Sequence, residues 1–149
     1  IGSIRNKRKL FSEAIDCFRE ALDLQRGIMR QDHPRVIASL DNLGYSFSKH
    51  KSYHQALTCY KEMLSAQFSR YGAYNVDICD TLKKQILIYE KLKNLDGATR
   101  ATKKALETVK SMSRTPEDPA ILEVEQMLSE LNKKRKLANK KRDKRKGSF

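Results

Sequence analysis

The sequence has few of the residues that interrupt helices and no apolar run long enough to cross a membrane. Only six glycines and three prolines occur in 149 residues, too few for the many turns of an all-β fold. No stretch approaches the roughly 18 apolar residues that a membrane span needs, and no signal-peptide pattern is present. The composition, 39% hydrophobic and 33% charged, is typical of amphipathic helices.

Cysteine is also scarce. Cys17, Cys59 and Cys79 have no spacing that indicates a metal site. An odd number of cysteines without a secretory signal favours a reducing compartment, which predicts a cytoplasmic location, with a nuclear one as the alternative. Because the chain begins with Ile1, we expect its natural N-terminus to lie upstream.

An internal repeat is the strongest signal in the sequence. Ala14, Ala56 and Ala98 recur with a constant period of 42, and each is followed by a similar apolar pattern. Further positions match at the same offset: Gly2 with Gly44, Phe11 with Tyr53, Leu40 with Leu82, and Phe47 with Tyr89. A period of this length is typical of a protein built from stacked helix pairs.

Within each unit the apolar residues recur at intervals of three and four, which predicts helices with one buried stripe. Asp32-His33-Pro34 and Thr115-Pro116-Glu117-Asp118 are typical helix starts, whereas Gly97 is interpreted as part of a turn. The predicted helices cover residues 1–8, 11–29, 33–49, 52–70, 74–92, 95–112 and 116–140.

These residues resemble the tetratricopeptide repeat (TPR) family. The matching positions are Leu40, Leu43, Gly44, Phe47, Ala56, Tyr60 and Met63. The period of 42 and the stretch that begins at Asp32-His33-Pro34 resemble the kinesin light chain type of repeat in particular. The resemblance weakens in the third unit, where Gln85 and Ile86 replace Leu43 and Gly44, and where Thr102 replaces Tyr60.

The resemblance implies an all-α fold, a right-handed α-solenoid of antiparallel helix pairs closed by a C-terminal capping helix. We expect repeats at about 1–31, 32–73 and 74–115, the capping helix at 116–131, and a basic tail at 132–149 that is a helical extension or disordered. The family's concave face receives peptides, which predicts a scaffold or adaptor for partner proteins.

The resemblance also indicates where a ligand would bind, on the side of each first helix that faces the groove. The predicted groove residues are Asp41, Asn42, Tyr45, Lys49, Lys83, Lys84 and Lys91. Asn42 matches the asparagine with which the family holds a peptide backbone, and an amide offers both a donor and an acceptor. The lysines together favour a short acidic, partly apolar peptide, although each lysine alone is more typical of a solvated helix face.

The basic tail accounts for most of the chain's charge of +13. Its cations are Lys133, Lys134, Arg135, Lys136, Lys140, Lys141, Arg142, Lys144, Arg145 and Lys146. Three interpretations stay open: a solvated extension, a nuclear import signal, or a contact with RNA or DNA. The alternative function is therefore that of a nucleic-acid-associated or nuclear protein.

No catalytic, metal or cofactor site is predicted. His33 lies at a helix start, and His50 and His54 flank a turn without a nucleophile or a third ligand at a suitable spacing. Cys17 and Cys59 occupy equivalent repeat positions beside the apolar stripe, which favours packing over reactivity. We therefore expect no enzyme activity from this chain.

Overall fold

The computed structural model describes residues 2–72 and 75–147, and these form six α-helices without any strand. The helices are α1 (Gly2–Ile28), α2 (Pro34–Lys49), α3 (Tyr53–Tyr71), α4 (Val76–Lys91), α5 (Leu95–Met112) and α6 (Pro119–Lys146). Each packs mainly against its neighbours in sequence. This linear stacking, in which contacts stay local, is the arrangement of a solenoid and confirms the predicted all-α repeat fold.

Polar side chains fix where most of the helices begin. The Nδ1 atom of His33 accepts the Arg35 amide at 3.1 Å, and Pro34 fills the first helical position, where its missing N–H costs nothing. Asn75 and Asn94 cap α4 and α5 in the same manner, with oxygens 2.8 and 3.0 Å from the amides that they accept. These caps satisfy amides that have no partner inside the helix.

The last helix begins three residues later than the sequence predicted. Asp118, not Thr115, is the N-cap: its Oδ1 accepts the Ala120 amide at 2.9 Å, and its Oδ2 accepts the Ser113 hydroxyl at 2.8 Å. A helix that began at Pro116 would contain Pro119 in its interior, where the ring clashes with the preceding turn. Starting at Pro119 removes that clash.

The predicted break between residues 8 and 11 is also wrong, because α1 is continuous from Gly2 to Ile28. The predicted break lies close to residues 7–10, which correspond in the repeat to the turn at 49–52. The position that Ser52 occupies in that turn is Leu10 in α1, which cannot cap a helix. Neither glycine nor proline interrupts this part of α1, and its lysines and arginines favour helix.

The turns that end α2 and α4 have the same structure. Lys51 and Lys93, which are equivalent in the repeat, have φ angles of 63° and 58°. In each turn the amide of the third residue after the helix donates to the carbonyl five residues earlier, from Ser52 to Phe47 at 2.8 Å and from Asn94 to Tyr89 at 2.9 Å. This pattern is a Schellman motif, whose left-handed residue is usually glycine. The repeat therefore extends to the backbone of the turns.

Two close approaches set the fit between paired helices. A Cβ atom on Gly44 would lie 2.7 Å from the ring of Tyr60, and one on Gly97 would lie 2.6 Å from the ring of Tyr89. Gly97 therefore lies inside the first turn of α5, under an aromatic ring, and the interpretation of it as a turn residue is wrong. Both glycines leave room for a neighbouring tyrosine that is itself buried.

The third unit reverses the first of these arrangements. Ile86 occupies the repeat position of Gly44, and Thr102 occupies that of Tyr60. Both are almost fully buried, at 1% and 0% exposure. The large side chain has moved from one helix to the other. The apparent loss of the repeat pattern is therefore a compensated exchange of volume.

A polar contact joins successive units. Ser39 donates a hydrogen bond to Oε1 of Gln25 at 2.7 Å, and Thr81 donates one to Oε1 of Gln67 at 2.7 Å. The two donors occupy equivalent repeat positions, and so do the two acceptors. Because a buried polar group without a partner is costly, these two bonds favour one register between each helix pair and the next.

Candidate functional site

The structure brings α2, α4 and α6, which we call the A helices, side by side on one face. Lys84 of α4 contacts Asp41 of α2 at 2.6 Å, and Lys83 of α4 contacts Glu123 of α6 at 3.3 Å. These ion pairs connect helices that are separated in sequence by α3 and α5, which with α1 are the B helices. All seven predicted groove residues lie on α2 or α4.

Two of the four predicted ligand-binding lysines already have carboxylate partners. Lys83 and Lys84 are each about one third exposed, and Lys84 also lies 6.0 Å from the centre of the Tyr60 ring. Partly exposed ion pairs of this kind contribute little stability, but they neutralise charge that an acidic ligand would otherwise meet. The sequence did not reveal these pairings, because their members are 40 and 43 residues apart.

The other two lysines form a pattern that occurs twice. Tyr45 and Leu87 are equivalent in the repeat and are 54% and 60% exposed. Each is followed one helical turn later by an exposed lysine, Lys49 or Lys91. Lys49 places its Nζ 5.4 Å from the centre of the Tyr45 ring. The A-helix face therefore carries an apolar side chain and a cation in the same order on two adjacent helices.

Asn42 is exposed on α2 between these features. Within the described residues its side chain has neither a hydrogen bond nor an ion pair, so that both its donor and its acceptor face solvent. Its equivalent in the next unit is Lys84, so the amide is not repeated on α4. A ligand that used Asn42 would therefore have a defined position along the face.

The basic tail is helical. Helix α6 buries Ile121, Val124 and Leu131, and Arg135 makes an ion pair with Asp96 at 2.8 Å. Apart from Arg135, residues 132–147 are exposed. The part of α6 up to residue 135 therefore covers α5, whereas the part after it presents its side chains to solvent.

A cavity of about 660 Å³ that the sequence did not predict lies on the other side of α2. It opens between α1 and α3, with Val36 and Leu40 at its floor, and an ion pair between Arg26 and Glu62 spans it. The equal mixture of charges on its walls favours no particular ligand. We assign this cavity to packing between successive B helices.

Two of the three cysteines are buried. Burial, with the Glu62 carboxylate nearby, raises the pKa of Cys59 to about 11, and burial also raises the pKa of Cys79. Cys17 is exposed, unlike its repeat equivalent Cys59, because the described chain has no helix on that side of α1. Among residues 2–72 and 75–147, no three potential ligands converge on a metal site, and none of the helices is both long and apolar enough to span a membrane.

Comparison with known proteins agrees with this geometry. A family model for the tetratricopeptide repeat matches residues 1–67. Residues 1–67 therefore match the tetratricopeptide repeat. Such repeats generally mediate interactions between proteins, and the family's scaffolds are generally not enzymes. The sequence matches none of the curated proteins.

Solved structures share the helical repeat fold over most of the chain. BtubC (BKLC) from P. vanneervenii aligns with a TM-score of 0.72 at 17% identity over 84% of this chain. Nearly identical TPR-like repeats of a protein from Podosopora anserina, named for its resemblance to kinesin light chain, align with a TM-score of 0.66 at 14% identity over 87% of this chain. The alignments cover 50% and 65% of those two structures, so this chain spans one half to two thirds of their length.

Proposed function

We propose that this chain is a scaffold that binds a short peptide segment of a partner protein on the face formed by α2 and α4. The observation that carries the proposal is the duplicated pair of exposed side chains, Tyr45 with Lys49 and Leu87 with Lys91. Isolated exposed apolar residues are common on protein surfaces. The same apolar and cationic order at equivalent positions of two adjacent repeats is more specific.

The arrangement suggests how the ligand lies. Apolar side chains of the peptide would cover Tyr45 and Leu87, because aromatic and aliphatic anchors contribute most of the energy at such contacts. Its acidic side chains would point towards Lys49 and Lys91, at the C-terminal ends of α2 and α4. Asn42 would hold the peptide backbone, through its donor and its acceptor.

Selection of displayed random decapeptides against the intact chain tests the chemistry of the ligand. We expect the bound peptides to be enriched in Asp or Glu together with a large apolar residue. An enriched peptide is then labelled and titrated by fluorescence anisotropy. Replacement of Asn42 or Tyr45 by alanine should weaken its binding by about tenfold, the effect expected of an important interface residue.

Leu24→Ala is the matched control, because Leu24 is an exposed apolar residue, 73% accessible, on α1 rather than on the A-helix face. It should leave the affinity unchanged. If the Asn42 and Tyr45 variants bind the peptide as tightly as the parent protein, or if Leu24→Ala weakens binding equally, the proposed face is wrong. Enrichment of basic peptides would contradict the proposed charge of the ligand.

A further inference from the structure

A second feature of the chain is a basic edge that does not overlap the apolar part of the peptide-binding face. We define the basic edge as residues 7–9, 49–51, 91–93 and 133–146. The first three segments read Lys-Arg-Lys, Lys-His-Lys and Lys-Leu-Lys, and they recur with the period of the repeat. The fourth begins Lys-Lys-Arg-Lys at residue 133, which is the same place in the next unit.

The fold places all four segments at the same end of the helices. Segments 49–51 and 91–93 are the turns that end α2 and α4. Residues 7–9 belong to the N-terminal part of α1, a B helix, which runs antiparallel to the A helices. Segment 133–146 is the C-terminal half of α6, and the ion pair of Arg135 with Asp96, near the start of α5, fixes its direction.

Charge is strongly segregated as a result. The basic edge contains seventeen lysines and arginines and one aspartate, a net charge of +16, whereas the whole chain has +13; the remainder therefore has −3. The opposite edge, residues 29–35, 70–72, 75–77 and 113–118, has four arginines and four carboxylates and a net charge of zero. The basicity is a property of one edge and not of the whole surface.

The form of α6 indicates which kind of anion fits. Residues 133–146 carry a net charge of +9 over a helical length of about 20 Å, or about one charge per 2.3 Å. Duplex DNA carries about one charge per 1.7 Å, and an extended acidic polypeptide at most one per about 3.3 Å. The charge density of the helix therefore exceeds the highest density that an extended acidic polypeptide reaches, whereas the duplex has enough charge to match it.

The distribution of charge around α6 argues against a membrane surface. Successive helical residues are rotated by about 100°, so Lys140, Lys141 and Arg142 point to three different sides. Leu137 and Ala138 are the only apolar residues of segment 133–146, and a helix that lies in a membrane interface needs an apolar face. A helix with cations on every side suits a groove with phosphates along both walls.

We propose that the basic edge is a docking surface for duplex nucleic acid, in which the basic turns and α1 contact the phosphates beside those held by α6. The recognition is of backbone charge, independent of base sequence. Single strands are disfavoured because the edge lacks the interleaved aromatic residues on which unpaired bases stack. Lys49 and Lys91 belong both to this edge and to the proposed peptide-binding face, but the proposal does not depend on the peptide ligand.

The test uses the whole chain and a fluorescent 30-base-pair DNA duplex of arbitrary sequence, titrated by anisotropy at several NaCl concentrations. Because each phosphate contact contributes about 0.9 to the slope of log K against log salt, six or more contacts predict a slope with a magnitude of at least about 5. A second duplex of unrelated sequence should bind equally. The absence of binding at about 50 mM NaCl, where such contacts are strong, would overturn the proposal.

Two variants that lose the same number of positive charges show whether DNA binding depends on the basic edge or only on the total charge of the chain. The edge variant carries Lys7→Gln, Lys9→Gln, Lys51→Asn and Lys93→Asn, which leave α6 and the peptide-binding residues intact. The control variant carries Arg30→Gln, Arg35→Gln, Arg70→Gln and Arg114→Gln on the opposite edge. We expect the edge variant to reduce the slope by about 3 to 4 and the control to change it by less than 1.

Equal slopes for the two variants, with both shown to be helical by circular dichroism, would mean that the turns and α1 take no part, and the proposed surface would be wrong. Competition identifies the class of anion. Polyglutamate that displaces the duplex at equal charge concentration would overturn the assignment to nucleic acid. Equally tight binding to vesicles of phosphatidylcholine and phosphatidylserine, mixed two to one, would overturn it as well.

Discussion

The contact between Gly44 and Tyr60 predicts that the effect of Gly44→Ala on the free energy of unfolding changes sign with the residue at position 60. A Cβ atom on Gly44 would lie 2.7, 2.9 and 3.1 Å from three atoms of the Tyr60 ring, distances well inside van der Waals contact. Tyr60 is 4% exposed, so its ring has little room to move. Gly44→Ala therefore forces an overpacked contact, which costs about 1–3 kcal/mol.

The same substitution also has a favourable effect, because alanine is about 1 kcal/mol better than glycine inside a helix. In the parent protein the two effects leave Gly44→Ala destabilising by about 1 kcal/mol. When Tyr60 is replaced by threonine, as in the third repeat, the clash disappears and the helix preference remains. In that background Gly44→Ala should stabilise by about 1 kcal/mol.

Urea denaturation followed by circular dichroism at 222 nm measures the free energies of unfolding of the four proteins. Tyr60→Thr alone should cost about 3 kcal/mol, because a large buried ring is lost. The cycle should give an interaction energy of about 2 kcal/mol, within the range for residues in contact. Additive effects, with Gly44→Ala unfavourable in both backgrounds, would refute the proposal that the two positions exchange volume between repeats.

Three further predictions follow from other parts of the chain. Lys51→Gly or Lys93→Gly should stabilise the protein by about 1 kcal/mol in urea denaturation, because glycine adopts the left-handed conformation without strain; a loss of stability would contradict the assigned turn. The hydrogen bonds from Ala120 and Ser113 lower the pKa of Asp118, so its capping contribution is present above the pKa of the unfolded chain and is lost as the pH falls through the lowered value. Asp118→Asn should therefore show less acid destabilisation of α6 by NMR than the parent does, and identical pH profiles would contradict this. Maleimide at pH 8 should label the exposed Cys17 at least tenfold faster than Cys59, whose raised pKa and burial leave little accessible thiolate; equal labelling rates, read by mass spectrometry, would contradict the burial of Cys59.

The periodic features of the fold could be predicted from the sequence. The repeat period and the three-and-four spacing placed α2 to α5 within two residues of their observed bounds, because each unit buries the same stripe of side chains. The His33 cap on α2 was also expected, and it is confirmed. These features depend on local sequence, because capping residues indicate a helix start and apolar periodicity indicates an amphipathic face.

The sequence was misleading at residues whose environment is determined by side chains distant in sequence. The resemblance to the family weakens in the third repeat because Ile86 and Thr102 depart from the consensus, whereas in the structure they exchange a large and a small side chain. The turn interpretation of Gly97 missed the ring of Tyr89 above it. In both places the contacting side chain lies on another helix, and the size of that side chain explains why a residue of unexpected size occupies the position.

The candidate site was likewise predictable only in part. The sequence placed Asn42 and the lysines on the A helices, but the carboxylate partners of Lys83 and Lys84 lie 40 and 43 residues away. The sequence also contained no indication of the hydrogen bonds that join successive units. In these, Gln25 and Gln67 accept from Ser39 and Thr81, which are 14 residues away on the next helix. Residue spacing defines a helix face, whereas charge balance on that face depends on how the repeats stack.

The most direct test of the scaffold function is an NMR titration of the ¹⁵N-labelled chain with a selected acidic peptide. We predict that the amide shifts change mainly on α2 and α4, around Asn42, Tyr45 and Leu87, while the outer faces of α3 and α5 stay unchanged. Shifts confined to the B helices, or no saturable change with any selected peptide, would contradict the account.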